Sequence, residues 1–383
     1  MKVVHIITGL SVGGAETMLL KLLRRFHGTG GPDGAVISLS DRGPLAEPIA
    51  ALGVPVTSIG MSPGPSAFLK LARLKAAIDA TRPDVVHAWM YHANLMSAFA
   101  LRGPGRPALI WGIRQTGLDP RLSKRRTALV ARAGAWLSGR VPDRIVCVSE
   151  PARDDHIAQG YAAAKMAVIP NGFDLDMFRP DPEARRAVRA EIGVGEDAPV
   201  AGLVARVDPQ KDHGTFLAAA RIVARRSPEA VFVLCGEGAE ESNADVARMI
   251  DAVGLGGRVR LLGRRGDIPR VTAALDVAVS SSAFGEGFSN ALGEALCCAV
   301  PIVATDVGAA RAIAGDAGRV VPPTDPEALA GAIADLLALD PSARRRLGAA
   351  GRQRMARDFG LDAIAERYRE LYRDVLAEKH HAS

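Results

Sequence analysis

Val277-Ala-Val-Ser280-Ser-Ser-Ala-Phe-Gly-Glu286-Gly-Phe-Ser-Asn-Ala-Leu-Gly-Glu294 is the stretch on which the reading of the whole chain turns. It passes from a short β-branched segment, through a loop of serines and glycines, to a helix beginning at Ala291 that Ser289 or Asn290 can cap. That is one strand-loop-helix repeat of a parallel sheet. Glu286 falls in the loop and Glu294 about one turn inside the helix. Backbone N–H groups at a helix start can hold a phosphate, and carboxylates on either side accept hydrogen bonds from sugar hydroxyls. Taken alone the pair also suits an ordinary capped helix with two solvated glutamates. The three serines before it, and Gly287 where a ligand would need close backbone approach, favour a binding loop.

The same alternation extends outward in both directions. Strand candidates lie at 3–8, 34–38, 54–57, 85–88, 108–112, 144–148 and 166–170, then at 199–205, 231–235, 259–262, 277–280, 302–305 and 319–321, with helical stretches between nearly all of them. The rhythm pauses over 171–198, which is rich in Pro, Asp and Arg and holds a short helix pattern at 183–192. The expected fold class is therefore α/β, with two doubly wound Rossmann-like domains at 1–178 and 195–358 and a cleft where their strand C-termini face each other. After Pro341 the chain turns helical, and within 361–377 Ile364, Tyr368, Leu371 and Val375 line one apolar face.

Composition agrees with this and excludes other classes. A length of 383 residues suits about two domains. Hydrophobic residues make up 48% and charged residues 23%, which excludes disordered, collagenous and disulfide-scaffold chains. Ten Phe, four Tyr and three Trp are too few for a base-stacking platform, so no nucleic acid is expected. Cys147, Cys235, Cys297 and Cys298 sit in apolar segments without CxxC spacing and read as core residues in a reducing cytoplasm. The opening MKVVHIITGL reads as a first strand and not as a signal peptide. No window approaches the roughly 18 to 20 apolar residues of a membrane span, so membrane contact would be peripheral. The net charge of +6 is concentrated between 102 and 144. There Arg102, Arg106, Arg114, Arg121, Lys124, Arg125, Arg126, Arg132, Arg140 and Arg144 face only Asp119 and Asp143. Docking on anionic lipid headgroups is expected, helped by Trp136 and Leu137; a solvated helix face is the alternative.

Further constellations follow strand ends. In Val204-Ala-Arg206-Val-Asp-Pro-Gln-Lys211-Asp-His, Arg206 and Lys211 can converge on one anion across a turn containing Pro209, though a plain surface loop is also possible. Leu234-Cys-Gly236-Glu-Gly238 reads as a strand followed by two glycines and a helix, only weakly like a dinucleotide fingerprint. Gly9-Leu-Ser-Val-Gly13-Gly14-Ala-Glu16 follows the first strand and opens a helix, where paired glycines permit a ligand to touch the backbone. In Asp84-Val-Val-His87-Ala-Trp89-Met-Tyr91-His92-Ala-Asn94, His87 lies on a strand, with Trp89, Tyr91 and His92 at its exit on the cleft side. Both histidines are candidates for proton handling or hydroxyl orientation.

In order and spacing these pieces resemble the retaining, nucleotide-sugar-dependent glycosyltransferases of family 4, of the polysaccharide and lipopolysaccharide type. The resemblance runs from Gly13-Gly14-Ala15-Glu16 through Ile169-Pro-Asn171-Gly172-Phe-Asp174, Arg206, Lys211, Gly236-Glu-Gly238 and Leu262-Gly263 to Glu286 and Glu294. It implies the GT-B architecture, with a final helix, 361–378, crossing back to the acceptor-binding first domain. It further implies that Arg206 and Lys211 hold the donor diphosphate, Glu294 the ribose hydroxyls, and Glu286 the transferred sugar. Backbone groups of Gly287, Phe288 and Ser289 would assist, Leu262 and Gly263 would lie beside the base, and Gly14 and Gly236 would complete the donor site. No redox cofactor and no metal are expected. The substrates implied are a UDP-hexose and a lipid-linked or glycan acceptor of cell-surface polysaccharide or glycolipid synthesis, handled in the cytoplasm or on the inner face of its membrane. One departure is that many relatives carry a second histidine two residues after His87, where this chain has Trp89; a subgroup with Trp before Tyr-His transfers the orienting role to His92. Retention without a nucleophilic carboxylate in the first domain points to front-face attack supported by positioning and electrostatics. The competing readings are a nucleotide-sugar epimerase of the same shape and a non-catalytic nucleotide-sugar-binding module. A dinucleotide oxidoreductase is disfavoured by the spacing of Gly9 to Gly14.

Overall fold

A computed structural model of the protein describes residues 1–62, 69–103, 105–117 and 125–381. The chain forms two compact units, Met1–Gly172 with Leu361–Ser383, and Phe173–Gly360.

The first unit is built on a parallel sheet whose strands lie in the spatial order Val56–Ser58, Asp33–Ser38, Lys2–Ile7, Val85–Trp89, Ala108–Ile113, Arg144–Cys147 and Met166–Val168. The second carries a parallel sheet ordered Val259–Leu261, Val231–Cys235, Val200–Val204, Val277–Ser280, Ile302–Thr305 and Gly318–Val321. The thirteen strand candidates are thus all present among the described residues, displaced by no more than two residues at either end. Central strands such as Val85–Trp89 and Val277–Ser280 are buried throughout, because helices cover both faces of a parallel sheet. In each sheet the winding reverses between the first and fourth strands, at Lys2–Ile7 beside Val85–Trp89 and at Val200–Val204 beside Val277–Ser280. Loops leaving the C-terminal ends of those strands stand at the topological switch point, where doubly wound sheets bind ligands.

The closing helix, Leu361–His381, belongs to the first unit and buries Ile364, Ala365, Tyr368, Tyr372 and Val375. The expected apolar stripe is rotated slightly: Tyr372 is fully buried while Leu371 is only half-buried, since the tyrosine ring finds aromatic partners inside. Gly172 makes this packing possible. A Cβ there would come within 2.8 Å of the Leu361 side chain and 3.0 Å of its Cα. Next to it, Phe173 lies against Gly293, where a Cβ would be 2.2 Å from the Phe173 ring, and Asp174 Oδ1 accepts from the Asp176 and Met177 amides, both at 2.9 Å. The Asn171-Gly172-Phe173-Asp174 motif therefore organises the place where the chain passes from one unit to the next.

The segment after that crossing is part of the second unit. Helix Pro182–Glu191 is capped by Asp181, and it is anchored by Arg189 and Arg185, which reach the carboxylate of Asp276 at 2.6 and 2.7 Å. Arg189 also donates to the carbonyls of Ala274, Gly195, Glu196 and Ala198, so the buried guanidinium is fully hydrogen-bonded, as its desolvation requires. One local expectation fails. No helix follows Gly236 and Gly238 directly; the next begins at Ala244, because Asn243 turns back to donate to the Gly238 carbonyl at 2.7 Å and then caps the helix.

Candidate active site

At the switch point of the second unit, two loops bring their charged groups together. Lys211, on the loop after Val200–Val204, pairs with the carboxylate of Glu286, on the loop after Val277–Ser280. The side chains are 19% and 13% exposed, shielded enough for the attraction to be strong and open enough for a ligand to compete. Ser282 donates its hydroxyl to the same Glu286 oxygen at 3.2 Å. Ser281 ties the two loops together, with its Oγ 2.8 Å from the Lys211 carbonyl oxygen and 3.0 Å from that of Asp212. Helix Asn290–Cys297 follows, with Ser289 at its N-cap in an extended conformation and no side-chain cap bond, and with Glu294 half-buried inside it.

Arg206 is on the same loop as Lys211 but half-exposed, pairing with Asp208 at 3.3 Å. Burial alone would raise the Asp208 carboxyl; the Gln210 amide at 2.9 Å and the Arg206 charge outweigh it and hold the group below the usual carboxylate range. Both cations are thus engaged by carboxylates. Behind them Gly236, with φ of 148°, presses on the strand end: a Cβ there would lie 2.3 Å from the Ala205 carbonyl oxygen. Its amide donates to Gly263 at 2.8 Å, and Leu262 donates to Leu234 at 2.9 Å, which sets 262–263 beside this turn. Among the described residues no group of three or more His, Cys, Asp or Glu side chains is placed to hold a metal ion.

The switch point of the first unit is built differently. Helix Gly14–Gly28 starts after Gly13, an N-cap with no side chain to offer, so the paired glycines stand at an uncapped helix start. His87 is buried within Val85–Trp89, shares a 2.9 Å hydrogen bond with the Tyr372 hydroxyl and stacks on Trp89 at 4.6 Å. Burial, together with His5 and Arg114, keeps its ring neutral by lowering its pKa well below the ordinary value. Trp89 and Tyr91 do not stand at an open exit as expected. Trp89 Nε1 donates to His5 at 3.2 Å under the Arg114 guanidinium, and the Tyr91 hydroxyl donates to His156 at 2.6 Å. Buried polar aromatic groups favour such partners, and the core supplies them to Trp89 and Tyr91. Of this run His92 is exposed, on the first turn of helix Tyr91–Ala100.

The basic stretch divides in the same way. Arg106 forms a two-pronged pair with Asp143 at 2.8 and 2.9 Å, Arg144 pairs with Glu378, and Arg114 binds Tyr368 and Asn171, so these three are engaged by partners within the unit. Arg102, Arg126, Arg132 and Arg140 are exposed. Arg121, Lys124 and Asp119 lie outside the described residues, as does the side chain of Arg125. Leu129 and Trp136, 65% and 71% exposed on helix Arg125–Ser138, supply the apolar part of this surface, whereas Leu137 is half-buried. All four cysteines are buried, and none is in a disulfide. No helix among the described residues is long and apolar enough to cross a membrane.

Ser281, Ser282, Thr305 and Gly308 are the site residues that sequence reasoning overlooked. The serines were visible as a run; Thr305 and Gly308 belong to the next strand and its exit, and their relation to Glu286 exists only in three dimensions.

Two doubly wound sheets, one of which presents a cation-carboxylate pair beside a helix start at its switch point, give the protein the build of a ligand-binding α/β protein with a polar site for an anionic, hydroxyl-bearing ligand. Residues 12–177 match the family model "Glycosyltransferase Family 4" and residues 198–339 the model "Glycosyl transferases group 1". The chain is 30% identical over 337 residues to alpha-maltose-1-phosphate synthase of Mycolicibacterium smegmatis, covering 80% of this chain and 83% of that protein. It is 32% identical over 235 residues to the GDP-mannose-dependent alpha-(1-6)-phosphatidylinositol monomannoside mannosyltransferase of the same organism, covering 58% and 60%. Anabaena Alr3699/HepE, solved in complex with UDP-glucose, shares the fold with a TM-score of 0.83 at 21% identity, over 100% of each chain. The chain belongs to glycosyltransferase family 4, and its fold is GT-B. Its activity is sugar transfer from a nucleotide sugar, not epimerisation.

Proposed function

We propose that the enzyme transfers a hexose, with retention, from a nucleoside diphosphate donor carrying UDP to a lipid-linked or glycan acceptor of cell-surface polysaccharide or glycolipid synthesis. The observation that carries this reading is the Glu286 carboxylate, held by Lys211 and Ser282 in the loop before an uncapped helix start. A diphosphate offers Lys211 a more highly charged partner than one carboxylate does. As the donor enters, Lys211 exchanges Glu286 for the diphosphate, Arg206 leaves Asp208 to join it, and the released Glu286 accepts hydroxyls of the sugar. Glu294 takes the ribose hydroxyls, the backbone of 287–289 supports the phosphate, and 262–263 flank the base.

In the reaction the bond from the anomeric carbon to the diphosphate oxygen breaks as the acceptor oxygen forms its bond on the same face. The acceptor's proton passes to the departing phosphate. Arg206 and Lys211 stabilise the charge that develops there, the task a metal performs elsewhere. His92, exposed in the first unit, is the histidine proposed to orient an acceptor hydroxyl; His87 is committed to Tyr372. The experiment is a donor screen with UDP-, GDP- and ADP-hexoses, with and without EDTA, followed by the anomeric configuration of the product. Turnover of a UDP-hexose, resistant to EDTA and giving the donor's configuration, is expected; an inverted product or a strict metal requirement overturns the mechanism.

Peripheral docking on an anionic membrane is proposed for the surface of Arg126, Leu129, Arg132, Trp136 and Arg140. Exposed cations there would meet lipid phosphates while Leu129 and Trp136 enter the headgroup layer. Sedimentation with anionic and neutral vesicles tests it: equal binding to both, or no loss on replacing Arg126, Arg132 and Arg140 by Gln, contradicts it.

A further inference from the structure

We propose that the exit of strand Ile302–Thr305 is a positioning device for Glu286, with Thr305 and Gly308 as its two working residues. This rests on the sugar-transfer reading of the Glu286 site. Thr305 is buried, and its hydroxyl donates to the Ser282 carbonyl at 2.6 Å while lying 3.3 Å from that of Ser280. Those two carbonyls belong to the strand exit from which the Glu286 loop departs, and Ser282 passes the constraint on through its own hydroxyl to the Glu286 carboxylate. Gly308 acts at the other end. Its φ is +61°, and a Cβ built on it would stand 1.7 Å from the Glu286 carbonyl oxygen and 3.1 Å from that of Gly287. The backbone at 308 is therefore in contact with the peptide that follows the carboxylate, and any side chain would drive the two apart.

Sheet packing explains neither residue. Ile302, Val303 and Ala304 are apolar and fully buried, and a β-branched hydrocarbon at 305 would suit the strand as well as a hydroxyl does. A buried hydroxyl is retained without cost only where it is bonded, and its partners here are the carbonyls of the functional loop. Gly308 could occupy its left-handed turn as Asn without much strain, but not with a carbonyl oxygen at that distance. Thr305 grips the start of the loop and Gly308 the residue that bears the carboxylate, so both act through Glu286.

The test uses the full chain with Thr305→Val, Thr305→Ser and Gly308→Ala. Three quantities are read: donor turnover, calorimetric affinity for whichever of UDP or GDP the wild type binds, and backbone hydrogen exchange over 283–289. Thr305→Val is expected to lower kcat about tenfold, the weight of one lost hydrogen bond, and to raise exchange over 283–289. Nucleotide affinity should fall much less than kcat, because the Arg206 and Lys211 side chains, which lie on the other loop, are untouched. Thr305→Ser, which restores the hydroxyl, should recover kcat. Gly308→Ala should lower kcat about 100-fold, as displacement of a positioned group by a fraction of an ångström to an ångström does. Wild-type kcat and exchange in Thr305→Val overturn the proposal, as does a parallel loss of kcat and nucleotide affinity. If the wild type turns over no donor, the sugar-transfer reading falls instead, and exchange over 283–289 still decides whether Thr305 holds the loop.

Discussion

The two units share the order of their first six strands, to which the first adds a seventh, and treat its reversal point in opposite ways. In the first, Trp89 passes to helix Tyr91–Ala100 through the single residue Met90, whose φ of 74° and ψ of 162° lie where glycine alone is at ease. Gly112 clamps this turn, its carbonyl accepting from the Met90 amide at 2.9 Å and from Asn94 Nδ2 at 3.2 Å. The polar groups behind it, His5, His87, Trp89 and Tyr372, are bonded to one another and closed to water. In the second unit residues 281–289 separate Ser280 from the next helix, and Glu286 on that longer connection stays partly solvated, as does its partner Lys211 on the neighbouring loop. A short strained turn fixes a direction; a long supported loop keeps a charge available. The two halves of one enzyme thus divide rigidity and electrostatics between them.

The sharpest way to break this contrast is Glu286→Gln. Transfer should fall by about 100-fold or more, as when one electrostatic contact to the reacting group is removed. Affinity for UDP should tighten, because Lys211 loses its competing partner and a negative charge leaves the diphosphate site. A marked loss of UDP binding in calorimetry would reverse the proposed division of roles between Glu286 and Lys211. Lys211→Ala should weaken UDP binding by about tenfold or somewhat more, the worth of a charge-assisted contact, and unchanged affinity would remove Lys211 from the phosphate site.

The buried histidines of the first unit should make its stability depend on pH. Burial lowers the His5 pKa from its ordinary 6.5 to about 3 and lowers that of His87 as well. Unfolded chains bind these protons more readily than the native state does. The stability is therefore fully present above 6.5 and declines as pH falls from there toward 3. Thermal midpoints measured across that interval should drop, and His5→Gln, which keeps an acceptor for Trp89, should flatten the slope; parallel curves for the two proteins would contradict the neutral-histidine core. The smallest effect is expected from Met90→Gly. Relief of the backbone strain outweighs the added freedom of the unfolded chain, so stability should rise by about 1 kcal/mol or less in denaturant titration. A clear loss would show that the turn is held by the Met90 side chain instead.

Much of the molecule is legible in the sequence alone. Strands and helices were readable because a parallel sheet covered on both faces needs uninterrupted apolar runs, and the glycine-serine loops between them break the pattern sharply. Glu286, Lys211 and Arg206 were identifiable as charges at strand ends. Their pairing was not: two carboxylates were expected to wait for sugar and two cations for phosphate, whereas Lys211 is held by Glu286 and Arg206 by Asp208. Trp89 and Tyr91 were misplaced, because which side of a strand exit is open depends on what packs over it, here His5, His156 and the closing helix. Arg106, Arg114 and Arg144 read as surface charge until their partners came into view.

Sequence by itself determined the repeating strand-helix order, the two-unit division of the core and the chemical identity of the groups at the strand ends, because these depend on local periodicity and on residue type. Only the tertiary structure decided which of those groups meet. Ser281 reaches the Lys211 loop and Thr305 the Ser282 carbonyl across distances of 3 Å or less, and Gly308 leaves no room for a Cβ against the Glu286 peptide, all across long separations in the chain. Hydrogen bonds and steric contacts fall off within an ångström, so a site made of them is set by where the strands place their ends.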